Sequence, residues 1–179
     1  MPGSKYDLII LGQGSAAFAA AIKANELGIK AAMVGGNATK GTVIGGTCVN
    51  VGCVPSKNLL TVASDFYRTK DGYFTAIKYG NSKLDFRRAI EEKDALVKRF
   101  RKEKYSDVLA KLRNVEYIPG LGRFVSRNKV KAGNRTLTAQ KFIIATGARA
   151  KIPDVKGIEK VSYLTNEEAL SLKEPPDSM

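Results

Sequence analysis

The sequence predicts a doubly wound α/β fold, with a parallel sheet and a small antiparallel β element added to it. Three observations predict this fold. A β-α-β unit is complete within the first 35 residues, and a long amphipathic helical pattern follows in the middle of the chain. Three short β-like runs separated by turn signals come after that helix. The 179 residues suffice for one domain with a hydrophobic core, with or without a tail.

The first unit consists of a strand, a glycine turn, a helix and a second strand. The apolar run at residues 6–11 is typical of a buried parallel strand. Helix-forming residues at 18–27 follow, and Gly28 is the expected cap at the end of that helix. Residues 30–34 predict the second strand. Together these elements form the start of a doubly wound sheet.

The middle of the chain predicts two helices. A glycine-rich loop at residues 35–46 leads into a helix from about residue 47 to about residue 67. Residues 68–85 predict a loop with a turn at Gly80 and Asn81. Residues 86–112 predict a long amphipathic helix, whose apolar residues close to helical spacing are Ile90, Val97, Phe100, Val108 and Leu112.

The last third predicts strands and then a connector. The β-like runs are residues 115–118, 122–132 and 135–144, with turn signals at Gly120, Asn128 and Gly133-Asn134. Ile143 and Ile144 predict a buried strand that runs into a tight turn at Gly147. Prolines become dense after residue 149, which is typical of a connector. The expected organisation is one domain at residues 1–150 and a connector at 151–179.

The sequence contains no histidine, and this limits the chemistry that the chain can perform. It excludes from the chain a histidine metal site, a Ser-His or Cys-His nucleophile pair and a histidine general base. Any reaction must therefore use cysteine, lysine, carboxylates, tyrosine or a bound cofactor.

The net charge of +13 permits two interpretations. The first is a nucleic-acid-binding protein, and the second is a solvated basic face that complements an anionic cofactor. We expect no nucleic-acid partner, because acidic residues interleave with the basic ones over residues 87–113 and no aromatic stacking surface is evident. No apolar run approaches the roughly 20 residues of a membrane span, and the N-terminus lacks a secretory pattern. The sequence therefore predicts a cytoplasmic protein with no membrane partner.

Gly12, Gly14 and Ala17 form a G-x-G-x-x-A pattern between the first strand and the first helix. Gly12 permits the tight turn, Gly14 lets the backbone approach a pyrophosphate, and Ala17 permits close packing of helix on strand. The helix N-terminus offers N–H groups and a partial positive charge to the phosphates. Because the pattern stands in this structural context, it predicts a Rossmann-like dinucleotide site rather than a coincidental strand–turn–helix.

One residue that this pattern usually includes is missing. A carboxylate about 20 residues further on, at the end of the second strand, commonly binds the ribose hydroxyls. Gly35 and Gly36 occupy that place, and no Asp or Glu occurs between Glu26 and Asp65. Ribose binding must therefore use other groups, or the affinity for the cofactor is reduced.

Cys48 and Cys53 lie in the segment GGTCVNVGCVPSK at residues 45–57. Two cysteines five positions apart can reach each other over little more than one helical turn. Pro55 marks a helix start, so the helix dipole and Lys57 are expected to favour the thiolate of Cys53. The pair predicts a reversible dithiol. The alternatives are two buried thiols or half of a metal site, for which further ligands are missing. A structural disulfide is not expected in a cytoplasmic chain.

The cysteine segment resembles the active-site signature of the class I pyridine nucleotide-disulfide oxidoreductases. The resemblance covers nearly the whole chain, since it includes the glycine loop, Gly120-Leu121-Gly122 and the run IIATGA at residues 143–148. Within the family, the valines of CVNVGCVPSK and residues 163–170 look most like mercuric reductase. Members similar to dihydrolipoamide dehydrogenase or to glutathione reductase are the alternatives.

The resemblance implies a cofactor, an electron path and a set of site residues. FAD is the implied cofactor and NAD(P)H the co-substrate. Electrons pass from NAD(P)H through FAD to the Cys48–Cys53 pair, and then to a small-molecule or metal-ion substrate. Cys53 is the implied thiol next to the flavin and Cys48 the interchange thiol, with Hg(II) bound only as substrate and no resident metal. The implied FAD contacts are Gly12, Gly14, Ala17, Gly46, Thr47, Lys57, Gly122, Thr146, Gly147 and Ala148.

The resemblance also implies what this chain lacks. Full-length members continue with a nicotinamide-binding domain and with a dimerisation domain that carries a His-Glu pair, and they form homodimers. The chain has no second glycine fingerprint, so we expect an FAD-binding part truncated before the nicotinamide-binding domain. Such a part cannot sustain NAD(P)H-driven turnover by itself. It could be a fragment, a split half or a natural truncation, and a non-catalytic FAD-binding module is a further alternative.

Overall fold

The computed structural model describes residues 4–36, 43–70, 74 and 76–178. Its strands and helices, in chain order, are β1 (Ser4–Leu11), α1 (Ser15–Glu26), β2 (Ala31–Gly35), α2 (Gly46–Val51), α3 (Cys53–Lys70), α4 (Phe86–Arg101), α5 (Asp107–Leu109), β3 (Val115–Pro119), β4 (Gly122–Ser126), β5 (Lys129–Ala132), β6 (Arg135–Ile144) and α6 (Asn166–Ala169). A π-helical segment, Lys102–Ser106, joins α4 to α5, and a 3-10 turn, Ile158–Lys160, precedes α6.

The chain divides into two compact units. The first comprises residues 1–50 and 100–148, and the second comprises residues 51–99 and 149–179. The first unit therefore contains all six strands, whereas the second contains α3, most of α4 and α6. No helix in the described part of the chain is both long and apolar enough to cross a membrane.

The first unit contains a six-stranded sheet in the order β3-β2-β1-β6-β5-β4. From β3 through β2 and β1 to β6, each adjacent pair of strands is parallel. The strands β5 and β4 continue the sheet with antiparallel pairing. The predicted parallel sheet with a small antiparallel element is therefore confirmed.

The core of the first unit lies on both faces of the sheet. On one face, Ile9 packs with Val34 and Leu137 in a cluster of buried side chains. On the other face, Ile10 packs with Met33 and with Phe18 of α1. All five residues of β2 are buried, which explains why the sequence shows continuous apolar runs rather than alternation.

The helix α1 ends at the predicted glycine. Gly28 has φ +67°, in the left-handed region. Its N–H donates to the Asn25 carbonyl at 3.2 Å, and the Ile29 N–H donates to the Ala24 carbonyl at 2.9 Å. These two bonds form a Schellman motif, so Gly28 has the predicted capping role.

The helix predicted from residue 47 to 67 is broken at Gly52 into α2 and α3. Pro55 is the third residue of α3. A proline is tolerated in the first turn of a helix, where its missing N–H costs nothing, but it cannot continue a helix from the preceding turn. Pro55, the residue that predicted a helix start, therefore explains the break between α2 and α3.

The long helix predicted at residues 86–112 is present with one change in geometry. The α-helical hydrogen bonding of α4 gives way to the π-helical segment before α5 ends at Leu109. Ile90 and Val97 are buried, and Val108 and Leu112 are partly buried against the core of the first unit. The predicted apolar face is therefore confirmed.

Two predictions about the strands need correction. The run predicted at residues 122–132 is divided into β4 and β5. The prediction that Ile143 and Ile144 are buried was wrong, because their side chains are 38% and 70% exposed. The described residues of the first unit do not cover this end of β6, although the strand itself and the turn at Gly147 (φ +74°) are present.

Two predicted loops lie only partly within the described residues. Residues 37–42 of the glycine-rich loop lie outside them, as do residues 71–73 and 75 of the loop predicted at 68–85. Residues 68–70 belong to α3, and residues 76–85 contain no helix or strand.

The ion pair of Arg135 with Glu116 predicts a small pH dependence of stability. Arg135 Nη1 lies 2.6 Å from Glu116 Oε1, and the Tyr6 hydroxyl donates to Oε2. Both bonds hold the pKa of Glu116 below its usual value, with Arg135 as the larger cause. A lowered folded pKa adds stability above the ordinary value of 4.5, and this stability is lost as pH falls through the folded pKa.

The substitution Glu116→Gln tests this dependence by urea unfolding at pH 7 and pH 4. We expect the variant to lose about 1 kcal/mol or less at pH 7, because both side chains are nearly half exposed, and to lose less at pH 4. Glu159→Gln, an equal charge change at an exposed position, is the control. The same pH dependence in both variants would contradict the assignment.

Candidate functional site

The glycine loop after β1 has no room for a side chain at Gly12. Its φ is +139°, and an added Cβ would lie 2.0 Å from the Ala145 carbonyl oxygen. The Gly12 N–H donates to Val34 O at 2.7 Å, and the Ala145 N–H donates to Leu11 O at 2.7 Å. The turn is therefore held at the carboxyl ends of β1, β2 and β6, which is where doubly wound sheets bind ligands.

The same loop meets the segment that precedes Cys48. The Gly45 N–H donates to Gln13 O at 2.9 Å, and Gly14 and Gly45 form a parallel bridge. Gly46 has φ +66°, and an added Cβ there would lie 2.7 Å from Gly14 Cα. The helix α2 begins at Gly46, so the cysteine-bearing helix starts directly against the glycine loop.

The N-terminus of α1 is suited to an anion. Gly14 is its N-cap, no side chain caps it, and its first turn contains no acidic residue. The first N–H groups of a helix have no partner within the helix, so they are available to a phosphate. Ala17 is fully buried in the cluster that joins α1 to the sheet, where only a small side chain permits such close packing.

The end of β2 is occupied by Gln13 and Tyr117. A Cβ on Gly35 would lie 2.6 Å from Gln13 Cβ and 3.0 Å from Gly12 O, so these atoms leave no room for a side chain there. The Tyr117 hydroxyl lies 2.8 Å from Gln13 Oε1 and 3.0 Å from Gly35 O. Burial raises the pKa of Tyr117 above its ordinary value. Sequence reasoning singled out neither side chain, and the only signal was a polar residue inside the G-x-G loop.

The two cysteines lie on successive helices. Cys48 is half-buried on α2, and Cys53 is exposed as the first residue of α3. Both are thiols in this structure. Asn50 fixes the start of α2, since its Nδ2 donates to Gly46 O at 2.8 Å and to Ile44 O at 3.2 Å.

The remaining predicted site residues are distributed over both units. Lys57 is exposed on α3 of the second unit, with Cys53. Gly122 begins β4, and an added Cβ would lie 2.6 Å from Leu11 Cδ2, so a side chain there would require Leu11 to shift. The other predicted residues of the first unit are exposed, and these are Thr47, Thr146, Gly147 and Ala148.

The structure thus brings together only some of the predicted residues. Gly12 and Gly14 meet Gly46 and the segment that leads into Thr146, all within the first unit. This arrangement can hold a phosphate at α1 and place whatever is attached to it beside α2.

Comparisons with known proteins agree with this geometry. Residues 6–179 match the family model described as pyridine nucleotide-disulphide oxidoreductase. The chain is 42% identical over 171 residues to a mercuric reductase of Lysinibacillus sphaericus, covering 96% of this chain and 30% of that protein. It is 33% identical over 180 residues to the mitochondrial dihydrolipoyl dehydrogenase 1 of Arabidopsis thaliana, covering 97% of this chain and 34% of that protein.

A solved structure supports the same fold. The copper(II) complex of the HOCl-induced flavoprotein disulfide reductase RclA from Escherichia coli has a TM-score of 0.77 and 28% identity. The similarity covers 96% of this chain and 35% of that one. The chain therefore spans about a third of the length of each of these three proteins, and it belongs to the pyridine nucleotide-disulphide oxidoreductases, a family of flavin-dependent enzymes.

Proposed function

We propose that the chain is the FAD-binding part of a disulfide oxidoreductase whose redox-active pair is Cys48 and Cys53. The observation that supports this most is the close approach of Gly14 and Gly46, where a Cβ added at Gly46 would lie 2.7 Å from Gly14 Cα. The approach places the start of the cysteine-bearing helix against the loop that would bind the pyrophosphate. A cofactor held by the loop would then extend toward the cysteine segment.

The residues present fit a flavin dinucleotide. The uncapped N-terminus of α1 would bind the pyrophosphate through Gly12, Gly14 and the close packing at Ala17. Gln13 and Tyr117, which hydrogen-bond to each other at the end of β2, would contact the ribose hydroxyls in place of the usual carboxylate. The other contacts implied by the family resemblance are Gly46, Thr47, Lys57, Gly122, Thr146, Gly147 and Ala148.

When bound, FAD supplies the chemistry that passes an electron pair from NAD(P)H to a disulfide. In this reaction the role of the chain is to present two thiols. We propose that Cys53 is the thiol next to the flavin and that Cys48 is the interchange thiol, which attacks a substrate disulfide or binds a soft metal ion. Thiolates are the ligands that soft metal ions prefer.

We propose a mercuric reductase-like substrate, Hg(II), because the sequence identity of this chain is higher to the mercuric reductase than to the dihydrolipoyl dehydrogenase. The nicotinamide site, the homodimer and the domain boundary near residue 150 belong to the same proposal, as properties of a longer protein. Hg(II) is a substrate in this proposal, and no resident metal is needed.

A visible spectrum tests the proposal. The purified chain is mixed with FAD, unbound FAD is removed by gel filtration, and spectra are recorded before and after addition of dithiothreitol. We expect FAD to stay with the chain, and a long-wavelength band to develop on reduction as a thiolate comes to lie against the flavin.

Two results would contradict the proposal in different ways. Elution of all FAD apart from the protein would show that the chain does not hold the cofactor. Bound FAD without a response to dithiothreitol would favour a non-catalytic FAD-binding module.

A further inference from the structure

We infer that Asn166 is a positioning residue for the cysteine pair, through a hydrogen bond from its side-chain amide to the backbone of Val51. This inference rests on the proposed function of Cys48 and Cys53. Asn166 Nδ2 donates to Val51 O at 2.6 Å, across a sequence separation of 115 residues. Val51 lies between the two cysteines in the chain, and it is the last residue of α2.

The Val51 carbonyl needs such a donor because of the local sequence. In a continuous helix, the N–H of residue 55 would donate to the carbonyl of residue 51. Residue 55 is proline, which has no N–H. The next helical hydrogen bond along the chain is present, since the Ser56 N–H donates to Gly52 O at 3.1 Å. Pro55 thus removes the helical partner of the carbonyl between the cysteines, and Asn166 replaces it.

The side chain of Asn166 is held by the cap of its own helix. Asn166 is the first residue of α6, and Thr165 is the N-cap. The Glu167 N–H donates to Thr165 Oγ1 at 3.3 Å, and the Thr165 N–H donates to Glu168 Oε2 at 2.8 Å. This capping box satisfies two backbone donors at the start of α6, and it fixes the backbone from which the Asn166 side chain extends.

A buried lysine holds the other end of α6. Lys93 of α4 is only 4% exposed, and its Nζ donates to Leu170 O at 2.6 Å. Its second partner is the carboxylate of Asp94, at 2.7 Å. Separation of α6 from α4 would break the hydrogen bond between the Lys93 ammonium and the Leu170 carbonyl, and hydrogen bonds from charged groups are stronger than neutral ones. The donor to Val51 is therefore part of an anchored element.

The consequence concerns the freedom of Gly52. Gly52 joins the helix that carries Cys48 to the helix that begins with Cys53, and glycine is the residue that restricts its backbone least. The bond from Asn166 fixes the peptide group before Gly52. A fixed junction limits the arrangements of the two thiols. Because the proposed function requires these thiols to pair, such a limit raises their effective concentration toward each other and favours the disulfide.

Glutathione redox buffers measure this effect. Two glutathione thiols reduce the Cys48–Cys53 disulfide. The first forms a mixed disulfide with one cysteine and releases the other as a thiol; the second attacks the glutathione sulfur of that mixed disulfide, which releases the remaining cysteine as a thiol and forms glutathione disulfide. Two electrons thereby pass from glutathione to the pair, which ends as two thiols. The native chain, Asn166→Asp and Asn166→Ala are equilibrated over a series of glutathione ratios, quenched in acid and alkylated, and mass spectrometry then gives the oxidised fraction.

We expect both substitutions to make the disulfide easier to reduce, with an equilibrium constant changed about three- to tenfold, the range for one hydrogen bond of ordinary net strength. Aspartate is nearly isosteric with asparagine, cannot donate to Val51, and is favourable in the first turn of α6. Asn81→Asp, the same change at an exposed loop position of the second unit, should leave the constant unchanged. Urea unfolding of each variant checks that the fold is retained.

Three results would overturn the inference. An unchanged constant in both variants would show that the bond does not affect the pair. A shift in Asn166→Asp alone, or an equal shift in Asn81→Asp, would show an effect of charge. If the native chain forms no Cys48–Cys53 disulfide at any glutathione ratio, the proposed function itself fails.

Discussion

Replacement of Cys53 by serine is expected to abolish the long-wavelength band completely, whereas replacement of Cys48 by serine should retain it. The band requires a thiolate against the flavin, and the proposed function assigns that position to Cys53 alone. Neither variant can form the intrachain disulfide. Oxidised glutathione should therefore convert each single-cysteine variant to a mixed disulfide, and the native chain to a product two hydrogens lighter.

The two variants control for each other, since each replaces one sulfur by oxygen in a side chain of the same shape. Cys53 is exposed and Cys48 is half-buried, so we expect small changes in the free energy of unfolding, and smaller at Cys53. Retention of the band in Cys53→Ser and its loss in Cys48→Ser would reverse the two roles. Loss in both variants would contradict the assignment of separate roles.

The substitution Gly12→Ala should cost about 3–5 kcal/mol of folding free energy and prevent FAD binding. The backbone at Gly12 has φ +139°, which side-chain-bearing residues rarely adopt, and an added Cβ would lie 2.0 Å from Ala145 O. Backbone strain and steric overlap each contribute a few kcal/mol, and the Ala145 backbone is held in place by the hydrogen bond from its N–H to Leu11 O. Urea unfolding and retention of FAD on gel filtration measure the two effects.

Gly80→Ala is the matched control for this substitution. An added Cβ at Gly80 meets no atom within 4 Å, and the backbone there is not in the left-handed region. We expect little change in stability and none in FAD binding. If Gly12→Ala is no less stable than Gly80→Ala, the close packing around the glycine loop is not as described.

The sequence was sufficient to predict features that depend on residues close together in the chain. The β-α-β unit and the cap at Gly28 follow from local periodicity and turn chemistry, and both are present. The break at Gly52 could also have been predicted, since Pro55 removes a helical hydrogen bond four residues earlier. The exposure of Ile144 could not, because burial depends on what covers a strand rather than on the strand itself.

The side-chain hydrogen bonds of the candidate site could not be predicted from the sequence, for a related reason. Tyr117 meets Gln13 across 104 residues, and Asn166 meets Val51 across 115. Nothing in the local pattern around these residues indicates a partner. Their geometry depends on the order of strands and on the docking of α6, which arise only when the whole chain is folded.

The position of β6 has a consequence for synthesis of the protein. β6 lies beside β1 at the centre of the sheet, yet it is the last strand of the sheet to be made. A growing chain can pair β1 with β2 early, but the other edge of β1 stays open until residue 144 has left the ribosome. Open apolar strand edges promote association with other chains, and distant pairings form slowly. The nascent protein is therefore most in need of chaperones just before β6 pairs with β1.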